Sequence, residues 1–269
     1  MEYKLNKIEK DEYNRTSAVF AIDKPEGVTS HDVVDIIKKK LRTKKVGHAG
    51  ALDPFASGIL LIVVGKYTKL SDALMGHDKV YDAEILFGVS TDSHDTEGNV
   101  IEIKKCDITE NQIEKELKKF EGGYMQRVPV YSSVKVDGQV LRKLARRSDS
   151  FFVDDNDQVH FVYKNGSEKV IKLPHKHVEI DSIALVDIRK IEKDELVDNI
   201  ASQIEGETQF VVAKVRLSCS KGTYIRQFAY DFGKKFDCSA MLISLRRIAI
   251  GNIKIEEALK SQDIENFSL

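Results

Sequence analysis

Apolar positions along the chain change period several times, and each change marks an element. "AVFAIDKPEG" is a short apolar run stopped by a Pro-Gly turn, which predicts a strand. In "TSHDVVDIIKKKL" the period lengthens. Val33, Val34, Ile37 and Leu41 share one helical face, and Thr29 or Ser30 can cap that helix. A glycine-rich loop comes next. "GILLIVVG" then has the length and branching of a buried strand. "KYTKLSDALMG" suits a short helix. "KVYDAEILFG" alternates, with Tyr81, Ala83, Ile85 and Phe87 on one face and Asp82, Glu84 and Leu86 on the other, the pattern of a half-buried strand.

The second half continues in the same mixed way. After the polar loop "STDSHDTEGN", "TENQIEKELKKFEG" carries a capping box, Thr109 with Gln112, and a stop at Gly122. "VPVYSSVKVDGQ" reads as a strand with a turn at Asp137-Gly138, and "VLRKLARR" opens a short helix. From about Ser148 to Lys176 the chain is polar, acidic and turn-rich, which predicts an insertion or irregular lobe. "KHVEIDSIALVDI" and "QFVVAKVRLSCS" are strands. "TYIRQFAYDFGKKFD" is an amphipathic helix with Ile225, Phe228, Ala229 and Phe232 inward. "SLRRIAIGNIKIEEALK" gives a strand and a short terminal helix. Strands and helices mix without a regular βαβ rhythm or internal repeat. The expected class is α+β with a mixed, mostly antiparallel sheet.

Composition adds constraints. Apolar content is 42% and charged content 32%, which fits an ordinary globular chain. The longest apolar run is too short to cross a bilayer, and the charged N-terminus lacks the core of a signal peptide, so a cytoplasmic protein is expected. The three cysteines, Cys106, Cys219 and Cys238, have no metal-ligand spacing and are expected to be reduced, mostly buried thiols. The net charge of -1 argues against a nucleic-acid partner, but the distribution argues the other way. "KKKLRTKK", "LRKLARR" and "LRR" concentrate positive charge, while acids gather in "DDND" and in 192–207. A basic face can bind phosphate, although each run alone can equally be a solvated helix face.

Candidate chemistry centres on "KVGHAGALDPFASG". Asp53 precedes Pro54, which favours an extended backbone, and glycines nearby permit tight turns. The carboxylate can serve as a nucleophile or base, or simply start a turn. His48 can be a base, a ligand, a stacking group or a structural histidine. No second histidine stands at ligand spacing. In "SCSKGTYIRQF", Arg226 can pair with a buried acid and Tyr224 offers a ring and a hydroxyl, or the pair simply opens a helix. Tyr81 can pack in the core or stack on a base. Neither a P-loop nor a dinucleotide glycine pattern occurs.

Taken in order, these segments resemble the TruB family of tRNA pseudouridine synthases. "DKPEGVTSHDVV" resembles its first motif, around Lys24 and Pro25. "KVGHAGALDPFASGILLIVVGKYTK" resembles its catalytic motif, usually GHTGTLDPxATGxL. "DKVYDAEILFGVSTDSHDTEG", "VPVYSSVKVDGQ", "SCSKGTYIRQFAYDFG" and "SLRRIAIG" complete the set, from about residue 18 to 251.

The resemblance implies a pseudouridine synthase fold over residues 1–258, with a polar insertion at about 148–176 and a short tail at 259–269. It implies isomerisation of uridine to pseudouridine in the T-loop of tRNA, at position 55 of the usual tRNA numbering, on a flipped-out base. Asp53 would be the catalytic carboxylate. Tyr81 would lie against the base, and Arg226 would pair with Asp53. His48, Tyr224 and Leu245 would line the substrate site. Asp95 would join the arginine network, and Lys24 would support the catalytic loop. The reaction needs no cofactor or metal. The tRNA T-arm is the implied partner, with no membrane and no obligatory protein partner. The sequence departs from the pattern in small ways. Ala49 and Ser57 replace usual residues, "LRKLAR" lacks a tyrosine often found there, and the family's extra C-terminal RNA-binding domain is expected to be absent.

Overall fold

Thr29 caps the first long helix, and Asp32 reaches back to close a capping box. The protein is described by a computed structural model over residues 2–104, 106–206 and 209–260. In chain order its main elements are β1 (Thr16–Lys24), α1 (Ser30–Lys40), β2 (Val46–His48), β3 (Ser57–Val64) and β4 (Lys79–Phe87). Next come α2 (Glu110–Lys118), β5 (Gly122–Arg127), α3 (Leu141–Ala145), β6 (Ser150–Val153), β7 (Gln158–Val162) and β8 (Glu168–Lys172). The last are β9 (His175–Glu192), β10 (Gln209–Cys219), α4 (Ile225–Lys234) and β11 (Ala240–Ile250). The class is α+β, as the mixed pattern predicts. The chain divides into two units. The first lies within 1–83, 216–221 and 244–269, the second within 84–215 and 222–243.

In the first unit, β3 is flanked by β1, which runs antiparallel from Ala18 opposite Val64 to Lys24 opposite Gly58. The two faces of this ribbon bury different partners. Phe20, Ile22, Leu60 and Ile62 pack on Val33, Val34 and Ile37 of α1. Val19, Ala21, Ile59 and Leu61 pack on Tyr67, Leu74 and Ile250. Burial on both faces explains why β3 reads as a continuous apolar run. β11 joins β3 in parallel, with Arg247 opposite Gly58. Gly58 has φ +104°, and a Cβ there would fall 2.2 Å from the Arg247 carbonyl oxygen, so only glycine permits this pairing.

In the second unit, β5 pairs antiparallel with β9, from His175 opposite Arg127 to Ile180 opposite Gly122. Helix α4 buries Ile225, Phe228, Ala229 and Phe232, the face its period predicts. Phe228 and Phe232 sit among the rings of Phe120, Phe87 and Phe236. Burying such a side chain stabilises by roughly 1.5–3 kcal/mol. The Asp137-Gly138 turn is present, and both residues have positive φ, as a tight hairpin of the type I′ class requires.

Four expectations are corrected. The 148–176 segment is not irregular, because β6, β7 and β8 form a three-stranded antiparallel sheet. Its inward positions, Val159, Phe161 and Ile171, join a core with Leu141 and Leu144. Turn residues between short strands hid that alternation. The terminal helix is absent. Ile255–Glu257 makes one 3-10 turn, and Leu259 and Lys260 then pair in parallel with Ile22 and Asp23 of β1. The rest of the short tail, 261–269, lies outside the described residues. Most of "VPVYSSVKVDGQ" is irregular, with only Lys135–Val136 and Gln139–Val140 in strands. Finally, Cys106 and Cys238 are paired as a disulfide, Cα to Cα 5.8 Å, while Cys219 is a buried thiol outside that pair. A pair 132 residues apart leaves no spacing signal in the sequence.

Candidate active site

The loop carrying Asp53 runs from the end of β2 to the start of β3, and buried groups fix it at several points. Ser30, at the start of α1, accepts a hydrogen bond from the Leu52 N–H (2.9 Å) and donates one to the Leu52 carbonyl (3.0 Å). The fully buried Lys24 Nζ donates to the carbonyls of Val28 (2.7 Å), Pro25 (2.8 Å) and Pro54 (3.3 Å). Gly27 N–H donates to the same Pro54 carbonyl at 2.9 Å. Lys24 therefore ties the β1–α1 turn to the residue after Asp53.

Arg247 holds the other side of the loop. It is only 2% exposed. Its Nε donates to the Ile59 carbonyl (2.7 Å), Nη2 to Gly50 (3.0 Å) and Nη1 to Ala51 (3.5 Å). The same guanidinium reaches the Tyr81 hydroxyl. Burial is the main influence on Tyr81 and pushes its hydroxyl up, against the pull of Arg247. The negative charge of Asp53 adds to the rise. Tyr81 therefore keeps its proton, close enough to Asp53 to feel its charge.

His48 ends β2, and its Nδ1 is buried with no partner among the described residues. Burial, aided by the positive fields of His31 and Arg247, pulls it below the usual imidazole range. Its ring is neutral at neutral pH and can insert or stack without carrying charge. Lys79 shares the inward face of β4 with Tyr81. It donates to the Met75 carbonyl at 2.7 Å and to that of His77, and burial, with Arg247, pulls it down to about 8. Leu245 is buried on β11. Asp53 itself is half-buried. A partly exposed carboxylate on a pinned loop can attack an electrophilic carbon or take a proton.

The second unit holds the remaining predicted residues. Arg226, 5% exposed, donates from Nη1 to the Ser93 carbonyl (2.7 Å) and from Nη2 to that of Tyr131 (3.0 Å). Its Nε lies 3.4 Å from Asp95 Oδ2. Asp95 also accepts from Ser93 Oγ and from the Glu97 N–H (2.9 Å). Both main-chain groups of Tyr224 are held by the buried Gln126 amide, at 2.8 and 3.0 Å. Asp53 lies in the first unit and Arg226 in the second, so the pairing implied by the resemblance is carried forward as a proposal.

Sequence reasoning missed Arg247, Ser30 and Gln126. "SLRRIAIG" shows two adjacent arginines, and only one can face inward. Arg246 instead makes an ion pair with Asp23 at 2.7 Å. Alternation with the buried Leu245 is the signal that would have selected Arg247. Among the described residues, no group of three or more His, Cys, Asp or Glu side chains is placed to hold a metal ion.

Residues 38–164 match the family model described as TruB family pseudouridylate synthase, N-terminal domain. A protein named tRNA pseudouridine synthase B from Pediococcus pentosaceus is 36% identical over 92% of this chain and 72% of its own length. One of the same name from Endomicrobium trichonymphae is 36% identical over 94% of both chains. The solved structure of a Cbf5-Nop10-Gar1 complex shares the fold at a TM-score of 0.59 and 24% identity, covering 98% of this chain. The protein spans 62% of the length of that solved chain. Curated relatives above one-third identity along most of the chain, together with the matching family model, settle the family: the protein belongs to the TruB family of pseudouridylate synthases.

Proposed function

We propose that the protein isomerises uridine to pseudouridine at position 55 in the T-loop of tRNA, with Asp53 as the catalytic carboxylate. The observation that carries this reading is the Asp53 loop itself. Buried Lys24 and Arg247 gather its main-chain carbonyls, and a protonated Tyr81 sits beside it. Relatives named tRNA pseudouridine synthase B supply the substrate class.

The reaction breaks the C1′–N1 bond, turns the uracil, and forms a C1′–C5 bond. N1 gains a proton and C5 loses one, so the change is an isomerisation. Asp53 acts in its ionised form, as a nucleophile at the sugar or base or as a base toward a sugar proton. Arg226 is its cationic partner in this reading. The target uridine is flipped out of the folded arm at a cost of a few kcal/mol. Stacking on Tyr81 and insertion of the neutral His48 ring offset that cost. Tyr224 and Leu245 meet the substrate, and Asp95 holds Arg226 in place. The basic run at 38–45 meets backbone phosphates and makes binding salt-dependent. The enzyme works on free tRNA in the cytoplasm without an obligatory protein partner. No helix among the described residues is long and apolar enough to cross a membrane.

The test is direct. Wild type incubated with unmodified tRNA transcript should convert the T-loop uridine, and Asp53→Asn should be slower by roughly a thousandfold or more. A wild type that leaves every uridine unchanged would sink the enzyme reading. An Asp53→Asn variant as fast as wild type would remove Asp53 as the catalyst.

A further inference from the structure

The inserted sheet leaves one end shaped and charged in a way the reaction does not use. An open cleft of about 680 Å³ lies between the exit of α3 and the turn that joins β7 to β8. Its walls include Arg146 and Arg147 on one side and Tyr163, Lys164 and Ser167 on the other. Two groups of main-chain bonds set its shape. Asp149 N–H donates to the Val162 carbonyl (2.9 Å), which fastens the helix exit to β7. Tyr163 N–H donates to Ser167 O (3.0 Å) and Gly166 N–H to Tyr163 O (2.8 Å), which closes the turn.

Charge in the cleft is out of balance. Three cations face a single acid, Asp149, whose carboxylate lies 3.8 Å from Lys164 Nζ. Among the described residues, neither Arg146 nor Arg147 makes an ion pair. Both side chains are exposed. Two guanidinium forks with open donors match the oxygens of a phosphate, and an open trough suits a continuous chain rather than an enclosed small molecule.

We propose that this cleft binds the phosphodiester backbone of the tRNA substrate outside the catalytic pocket, with Lys164 of the inserted hairpin as its distinctive cation. The inference rests on the tRNA reading above. The insertion thereby adds RNA-binding surface to the second unit, built from residues that take no part in the chemistry.

The test measures binding of unmodified tRNA transcript to the full chain at several salt concentrations. Substituting Arg146→Ala, Arg147→Ala and Lys164→Ala together should weaken binding by about tenfold or more at moderate salt and raise KM in step. The salt slope should flatten by about one for each phosphate that the variant no longer neutralises. Lys164→Arg, which keeps the charge, should bind like wild type, and a matching thermal midpoint guards against misfolding. An unchanged dissociation constant and salt slope in the triple variant would overturn the proposal. So would a poly-glutamate peptide that binds the cleft as tightly as the transcript while tRNA binding ignores the substitutions, since that result points to an acidic protein partner. If wild type forms pseudouridine while the triple variant binds normally, the cleft alone fails. If wild type binds transcript through the cleft but forms no pseudouridine, the enzyme reading alone fails.

Discussion

Two loops, one in each unit, are organised by a buried arginine, and they use it differently. The Asp53 loop gives Arg247 only main-chain carbonyls, those of Gly50, Ala51 and Ile59, and the nearby side-chain partner is the Tyr81 hydroxyl. The 91–97 loop gives Arg226 the Ser93 carbonyl and the Asp95 carboxylate, with the buried His94 between them. Carbonyls do not titrate, and Tyr81 is pushed up, away from neutral pH. The geometry around Asp53 is therefore set by groups that keep one charge state across the working range. The second loop contains groups whose charge depends on pH.

The largest predicted effect on stability comes from Arg247. Arg247→Met leaves the buried Ile59 carbonyl and the partly buried Gly50 carbonyl without their donor, while the exposed Ala51 can turn to water. A bare buried group costs about 1–3 kcal/mol, so a loss of about 3 kcal/mol is expected in urea unfolding. Pseudouridine formation should fall with it, because the loop that aims Asp53 loosens. Arg247→Lys should rescue little, since one ammonium cannot span three carbonyls and the Tyr81 hydroxyl in a planar fork. A Lys variant with wild-type stability and rate would show that charge, rather than the fork, holds this loop.

Gly58→Ala tests the same loop from its backbone. The added Cβ would meet the Arg247 carbonyl at 2.2 Å, and its φ of +104° strains any L side chain. A loss of about 2–3 kcal/mol is expected. The comparison predicts a coupled effect: combining Gly58→Ala with Arg247→Met should cost less than the sum, since both displace the same strand. Full additivity would mean that Gly58 and Arg247 hold separate things.

These elements also show what the sequence could and could not reveal. The helix at Thr29, the buried strand at Ser57–Val64 and the inward face of α4 were legible because period and capping are local. The order of motifs marked Asp53, Tyr81 and Arg226 as a set. Arg247 was hidden because its role depends on a parallel pairing with Gly58, 189 residues earlier in the chain, which no local pattern encodes. The three-stranded sheet of β6, β7 and β8 was hidden for the opposite reason. Its strands are local but short, and the polar turns between them dominate the composition. The Cys106–Cys238 pair combines both problems, being distant in sequence and without a motif.

His94 gives the sharpest test of the contrast between the loops. Its ring is buried, stacks on Tyr230 at 4.3 Å, and leaves Nδ1 without a partner among the described residues. Burial, reinforced by the charges of Arg127, Arg226 and Lys234, pulls it down to about 3. An unfolded histidine protonates near 6.5. Between those values the unfolded chain binds the extra proton, so stability is full above about 6.5 and falls as pH drops through the window. At about 1.4 kcal/mol per unit, lowering the pH from 6.5 to 5 removes about 2 kcal/mol through this group. Asp231 acts with the opposite sign: burial pushes it up to about 6, so the folded state holds its proton between that value and the usual carboxylate range and gains stability as pH falls. The difference between wild type and His94→Asn isolates the histidine, and asparagine tolerates the positive φ of 61° at this position. The Asn variant should lose about 2 kcal/mol less than wild type between pH 6.5 and 5 in urea unfolding. Equal losses would mean that His94 does not set the acid response of the second loop, and the distinction between a carbonyl-held and a carboxylate-held loop would no longer explain how the protein responds to pH.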